Sequence, residues 1–245
     1  MNEIKRSFKK FFSFYYQSLK KIKLNSPSSI MDCLSDEIGF FEILFWMDHV
    51  ERKVSLERIF IWGELYLSDM DASLKNYRKG QEGIPGERQK GDCDTLMALH
   101  DLCIVKRRKS LINKIHIFFE KAMEIGVLYQ PLAHDSFLLV SPTRRPKLHP
   151  EDKKVFFLER DEESTYFFLQ DAVQKYLSSD FEGVKYSTTK AFELYMQDVD
   201  PESHFECRMF FQFLGLVRYF KDNGVKIEFP KYDHPWAKQL ELVGD

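Results

Sequence analysis

"LGLVRYFKDNGVKIEF", Leu214 to Phe229, is the stretch on which the fold turns. Its central Asn223-Gly224 is the dipeptide that a type I′ hairpin favours, because both central residues of that turn need positive φ. Val225, Ile227 and Phe229 alternate with Lys226 and Glu228, which predicts a strand with one apolar and one wet face. The expectation is two short strands folded over Asn223-Gly224. Just upstream, "PESHFECRMFFQFLG" places Pro201 where a helix starts and Gly215 where one stops.

"IGVLYQPLAHDSFLLV", Ile125 to Val140, repeats the figure. Aligned without gaps, Gly126 matches Gly215, Val127 matches Leu216, Phe137 stands opposite Lys226 and Leu138 opposite Ile227. A second hairpin is therefore expected from Val127 to Val140, after helices in "DTLMALHDLCIV" and "KSLINKIHIFFEKAMEIG". Leu111, Ile115, Phe118, Ala122 and Ile125 form the inward stripe of the latter. "STYFFLQDAVQKYLSS" and "STTKAFELYMQD" supply two more helices before the later hairpin. Between the two units lies the proline-broken "SPTRRPKLHPEDKK", followed by a strand-like "VFFLER".

The first half of the chain reads as helical. "SDEIGFFEILFWMDHVERKV" offers Ser35 and Asp36 as N-caps, and "SLERIFIWGELYLSDMDASLKNY" restarts at Ser55. "NSPSS", Asn25 to Ser29, reads as a linker and "KGQEGIPGERQKGD" as a surface loop. Asp92-Cys93 stands where a phosphate loop needs Lys and Ser or Thr, so nucleotide binding is rejected there. At the N-terminus Ile4, Phe8, Phe11, Phe12, Tyr15, Leu19 and Ile22 share one helical face, opposite a row of lysines. That pattern suits a helix on an anionic surface, or a peripheral helix whose aromatic stripe meets the core or a partner.

Composition narrows the function classes. The chain has 245 residues, 44% hydrophobic and 30% charged, with 23 phenylalanines to fill a core or an interface. Its net charge of −2 excludes a uniformly basic coat for nucleic acid, though not a local patch. Cys33, Cys93, Cys103 and Cys207 form no CxxC pair, which favours free buried thiols and a reducing compartment. There is no run of 18 apolar residues and no secretory h-region, so the expected location is the cytoplasm.

The fold class expected is mainly α with small β-hairpins (α+β). Tandem winged-helix-like units at 93–150 and 151–245 follow a basic amphipathic helix at 1–24 and a helical region with a Gly-rich loop at 30–92. This order of elements resembles the kite family, the MukE- and MksE-like accessory subunits of bacterial SMC-type complexes, over roughly Asp94 to Phe229. The resemblance implies a non-catalytic dimer that grips a kleisin-like chain and touches DNA. The long helical N-terminal region has no counterpart in that pattern.

Candidate DNA contacts are the strip Lys106, Arg107, Arg108 and Lys109, with Lys114, Lys121, Arg144, Arg145 and Lys147. A solvated charge run explains the same residues equally well. In the second unit Glu202 and Glu206 would repel phosphate, so protein contact is expected there, through Arg208 and Tyr219; Phe8, Phe11, Phe12 and Tyr15 are further partner candidates. No catalytic residue, metal ligand or cofactor is nominated. His100 and Cys103 lie one turn apart but want a second ligand pair even with Cys93. The acids Glu159, Asp161, Glu162 and Glu163 suit a helix start. Arg144 and His149 have HEPN-ribonuclease spacing, opposed by Pro146 and Pro150.

The leading expectation is an adaptor subunit of a multiprotein, DNA-associated complex, with a protein partner, DNA as a second partner, and self-association. A peripheral membrane or nucleic-acid-binding regulator using the basic first helix is the alternative. An HEPN-like ribonuclease is a third reading.

Overall fold

The computed structural model describes residues 26–82, 87–125, 135–140, 164–198 and 209–244. The described residues are mostly helical and include no strand. The predicted helix at 1–24, "VFFLER" and the proposed helix start at Pro201 lie outside them.

Helix α1, Pro27–Trp46, begins at a cap inside the predicted linker. Ser26 Oγ accepts from the Ser29 amide at 3.2 Å, and Pro27 occupies the first turn, where its missing N–H costs nothing. Met31, Leu34, Ile38, Phe41 and Phe45 recur at helical spacing and are buried. Helix α2, Arg52–Ser68, folds back against α1. The two are clasped by the buried Glu37 carboxylate, which accepts from Ser55 Oγ at 2.5 Å and from Arg58 at 2.9 and 3.0 Å. Such bonds satisfy a charge that would otherwise be expensive to bury.

The segment read as one helix from Ser55 to Tyr77 is broken at Asp69. Its Oδ1 accepts from the Ala72 amide at 3.1 Å, so Asp69 caps α3, Met70–Glu82. Helix α4, Glu87–Val105, begins within the predicted Gly-rich loop, so helix occupies both ends of that stretch. Helix α5, Lys109–Glu124, and the short α6, Asp135–Val140, follow. The latter corrects the first predicted hairpin: residues 136–140 are helical, with Phe137 and Leu139 buried. Helices α7, Thr165–Leu177, and α8, Phe181–Asp198, form an antiparallel pair.

Helix α9, Phe211–Asp222, overturns the second hairpin. Leu214 to Phe220 continue as helix, and Phe213, Leu214, Leu216, Val217 and Phe220 are all buried. A helix covered on most sides loses the polar–apolar periodicity that marks an amphipathic one, which is why these residues imitate a strand. Gly215 does not stop the helix; it lets α9 approach α4. Asn223-Gly224 does stop it. The Val225 amide donates to Phe220 O and the Gly224 amide to Lys221 O, both at 3.0 Å, with Gly224 at φ 89°. This is a Schellman ending, with glycine taking the left-handed position.

Residues 225–229 take no regular secondary structure. Their alternation was read correctly: Val225 and Ile227 are buried, and the Phe229 ring lies 5.7 Å from that of Phe192. A 3-10 helix, Pro235–Val243, closes the chain against α1 and α9. It is capped by His234 Nδ1, which accepts from the Trp236 amide at 3.2 Å. Helix α4 runs through the middle, contacting α1, α2, α3, α5, α6 and α9. Among the described residues the paired strands expected of a winged-helix unit are not shown.

Candidate functional site

The turn between α4 and α5 carries the predicted basic strip. Its geometry follows from how α4 ends. The Arg108 amide donates to Cys103 O at 2.8 Å and the Arg107 amide to Ile104 O at 3.0 Å, with Arg107 at φ 55°. The chain thus makes a Schellman ending without glycine. Two neighbouring arginines are thrown in different directions.

Arg107 reaches α9 and donates to the Asp222 carboxylate at 2.6 and 3.0 Å. That hydrogen bond holds the Asp222 carboxyl below its ordinary range and raises Arg107. Arg108 reaches α2, donating to both Glu57 oxygens at 2.8 and 2.6 Å with its guanidinium 4.9 Å from the Phe60 ring centre. Lys114, one turn into α5, pairs with Glu64. Lys106 is held below the usual lysine range by partial desolvation and, next, by the Arg218 charge. Lys106 and Lys109 form no ion pair among the described residues.

The predicted strip is thus brought together in space, but three of its cations are matched to acids on α2 and α9. Those acids were invisible as partners because Glu57 and Asp222 are 51 and 115 residues away from their arginines. Lys121 lies 3.9 Å from Asp71, a further match. Arg144, Arg145, Lys147, Arg208, Phe8, Phe11, Phe12 and Tyr15 lie outside the described residues, as do His149 and the acids 159–163. Tyr219 is half-buried, its ring 5.6 Å from that of Tyr176 on α7, so it joins two helices.

A buried polar cluster was not anticipated. His100 and Asp101 on α4, His116 on α5 and Ser136 on α6 are enclosed together. The two Nε2 atoms of His100 and His116 stand 3.0 Å apart, one donating and the other accepting. Ser136 Oγ donates to Asp101 Oδ1, which lies 3.5 Å from His100 Nδ1. Phe137 stacks on His116 with ring centres 4.2 Å apart. Burial pushes the His100 imidazole down to about 3, so it is neutral at pH 7. These groups lock α4, α5 and α6 together out of reach of solvent.

No family model matches the chain, and no curated protein or solved structure matches it.

Among the described residues no group of three or more His, Cys, Asp or Glu is arranged to hold a metal ion. Cys33, Cys93 and Cys103 are free and buried, and burial raises all three thiols, Cys33 to about 11 and Cys93 to about 12. The stripe read for α5 is inward at Leu111, Ile115, Phe118 and Ala122, whereas Ile125 is exposed just beyond the helix. Among the described residues no helix is long and apolar enough to cross a membrane.

What the surface does offer is apolar area. Leu177 and Phe181, on either side of the α7–α8 turn, are both exposed, and Tyr186 is exposed farther along α8. The Phe181 ring lies 6.2 Å from Tyr176, which in turn packs on Phe220, so this tip stands on a rigid base. On α2, Val54, Ile61 and Leu65 are exposed beside the paired acids.

Proposed function

We propose that this chain is a helical adaptor subunit of a multiprotein assembly, engaging a partner protein through apolar side chains at the α7–α8 tip. One observation carries the reading: Arg107 and Arg108, nominated for phosphate, are matched by carboxylates of the same chain, while Leu177 and Phe181 stand exposed. Exposed aliphatic and aromatic side chains on a fixed base gain free energy when a partner covers them. Arginines already held by carboxylates must give up those bonds before they can neutralise phosphate. The SMC-type assembly enters this reading without winged-helix surfaces, because Asp135–Val140 and residues 214–220, expected as hairpin strands, are helical.

Photo-crosslinking in the source cell tests this. Benzoylphenylalanine placed at Leu177 and at Phe181 should capture one and the same protein, absent from a control at Lys226. After identification by mass spectrometry and purification, that protein should bind the chain, and Leu177→Asp with Phe181→Asp should weaken binding at least ~10-fold. Different adducts at the two positions, none at either, or binding unaffected by the double variant would overturn the reading.

A further inference from the structure

We infer that residues 1–25 turn back at Ser26 and lay their aromatic stripe, as an antiparallel helix, along the outer row of α1. That row is Cys33, Phe40 and Leu44, exposed by only 1%, 1% and 0%. Separations of seven and four residues place the three on one side of the helix. They do not belong to the apolar cluster that Met31, Leu34, Ile38, Phe41 and Phe45 of the same helix form with the rest of the core. A second apolar row on α1 therefore calls for a partner of its own.

Spacing selects the occupant. Leu19, Phe12 and Phe8 lie seven, fourteen and eighteen residues before Ser26. Cys33, Phe40 and Leu44 lie seven, fourteen and eighteen residues after it. A reversal at Ser26 thus sets Leu19 level with Cys33, Phe12 with Phe40 and Phe8 with Leu44. At ~1.5 Å rise per residue the last pair stands ~27 Å from the turn, within the length of α1. The junction suits such a reversal. Ser26 is extended, at φ −132° and ψ 142°, and Pro27 cannot continue a preceding helix. Two antiparallel helices need a connection of only a few residues.

A segment joined directly to α1 also reaches this row at a far higher effective concentration than a separate molecule does. In the same arrangement Arg6, Lys10, Gln17 and Lys21 fall on the far face, in water. The stripe is then spent on the chain itself and not on a membrane or a partner. The inference concerns a different surface from the α7–α8 tip and stands or falls separately.

Thiol labelling of the whole chain, read peptide by peptide by mass spectrometry, tests it. Phe12→Ser with Leu19→Ser should speed alkylation of Cys33 by iodoacetamide at least ~10-fold. Cys103, in the core, should keep its wild-type rate, and Gln17→Ser on the far face should change neither thiol. The wild-type Cys33 rate should not depend on protein concentration between ~1 and ~100 μM, nor on added phosphatidylserine vesicles. In urea, Phe12→Ala and Phe40→Ala together should destabilise less than the sum of the two alone, since either one already empties the contact. An unchanged Cys33 rate in the double serine variant overturns the inference, as does a rise shared equally by Cys103. A wild-type rate that falls with protein concentration assigns the row to a second copy, and one that rises with vesicles assigns the stripe to lipid; either result overturns it. So does strict additivity of the two alanine variants.

Discussion

A Cβ added at Gly215 on α9 would stand 2.8 Å from Asp101 Oδ1 on α4. The two helices meet this closely because one of them lacks a side chain, and the carboxylate in the gap is anchored by Ser136. Read from sequence, Gly215 was a helix stop; in the structure it is the contact surface between α4 and α9. Gly63 on α2 does the same toward Leu99, where an added Cβ would meet Cδ2 at 2.6 Å.

Gly215→Ala is therefore expected to lower unfolding stability by about 1–3 kcal/mol, despite alanine's better helix propensity, because a buried carboxylate has to move. Urea denaturation checks this. An unchanged or raised midpoint would mean that the α4–α9 approach is looser than described.

Helix endings give a paired prediction. Gly224→Ala forces an L side chain into φ 89° and is expected to cost about 1–2 kcal/mol. Ser179 holds the same left-handed role after α7, at φ 63°, with the Asp180 amide donating to Lys175 O at 2.9 Å. Ser179→Gly relieves the strain there and should stabilise the protein by about 1 kcal/mol. Thermal melts of the two variants should move in opposite directions.

Acid sensitivity follows from His100. Its pKa is about 3 in the folded chain, held down by burial, against about 6.5 when unfolded. The unfolded state thus binds a proton that the folded state refuses. The stabilisation is complete above about pH 6.5 and is lost as pH falls toward 3, with about 2 kcal/mol gone by pH 5. Asp222, held low by its bond from Arg107, adds its own loss only around and below pH 4. Urea midpoints at pH 7.5 and pH 5.0 measure the first effect, and equal stability at the two values would contradict it.

For the basic turn, Arg107→Gln and Arg108→Gln should leave the salt dependence of any DNA retention unchanged, since their charges are already met by Asp222 and Glu57. Free phosphate contacts would each contribute about 0.9 to the slope of log K against log salt. Filter binding across a salt series measures this. A slope that falls by nearly one for each substitution would return the strip to the list of nucleic-acid contacts.

Several helices were legible because α1, α5 and α7 carry apolar residues at helical spacing, although Ser35 and Asp36, expected as caps, lie inside α1. The alternation of Val225, Ile227 and Phe229 with Lys226 and Glu228 was also read correctly, because it needs no partner strand. What failed was pairing. Asn223-Gly224 serves a hairpin and a Schellman ending equally well, and the choice rests on Phe220 and Val225 packing inward, a tertiary fact. Arg107 and Ser179 end helices without glycine and left no local signal. At Ser26 the signal was present but was taken for a linker. The His100–His116 pair was hidden because its members lie 16 residues apart on different helices. Its one available hint was that both histidines sit amid apolar neighbours.

The account stands on residues 211–222 being one helix that ends at Gly224. Backbone NMR assignment of this stretch tests it most directly. Helical Cα shifts from Phe211 to Asp222, with sequential amide–amide contacts running through Gly215, are the predicted result. Strand-like shifts over 216–220 with cross-strand contacts to 225–229 would contradict it and restore the hairpin.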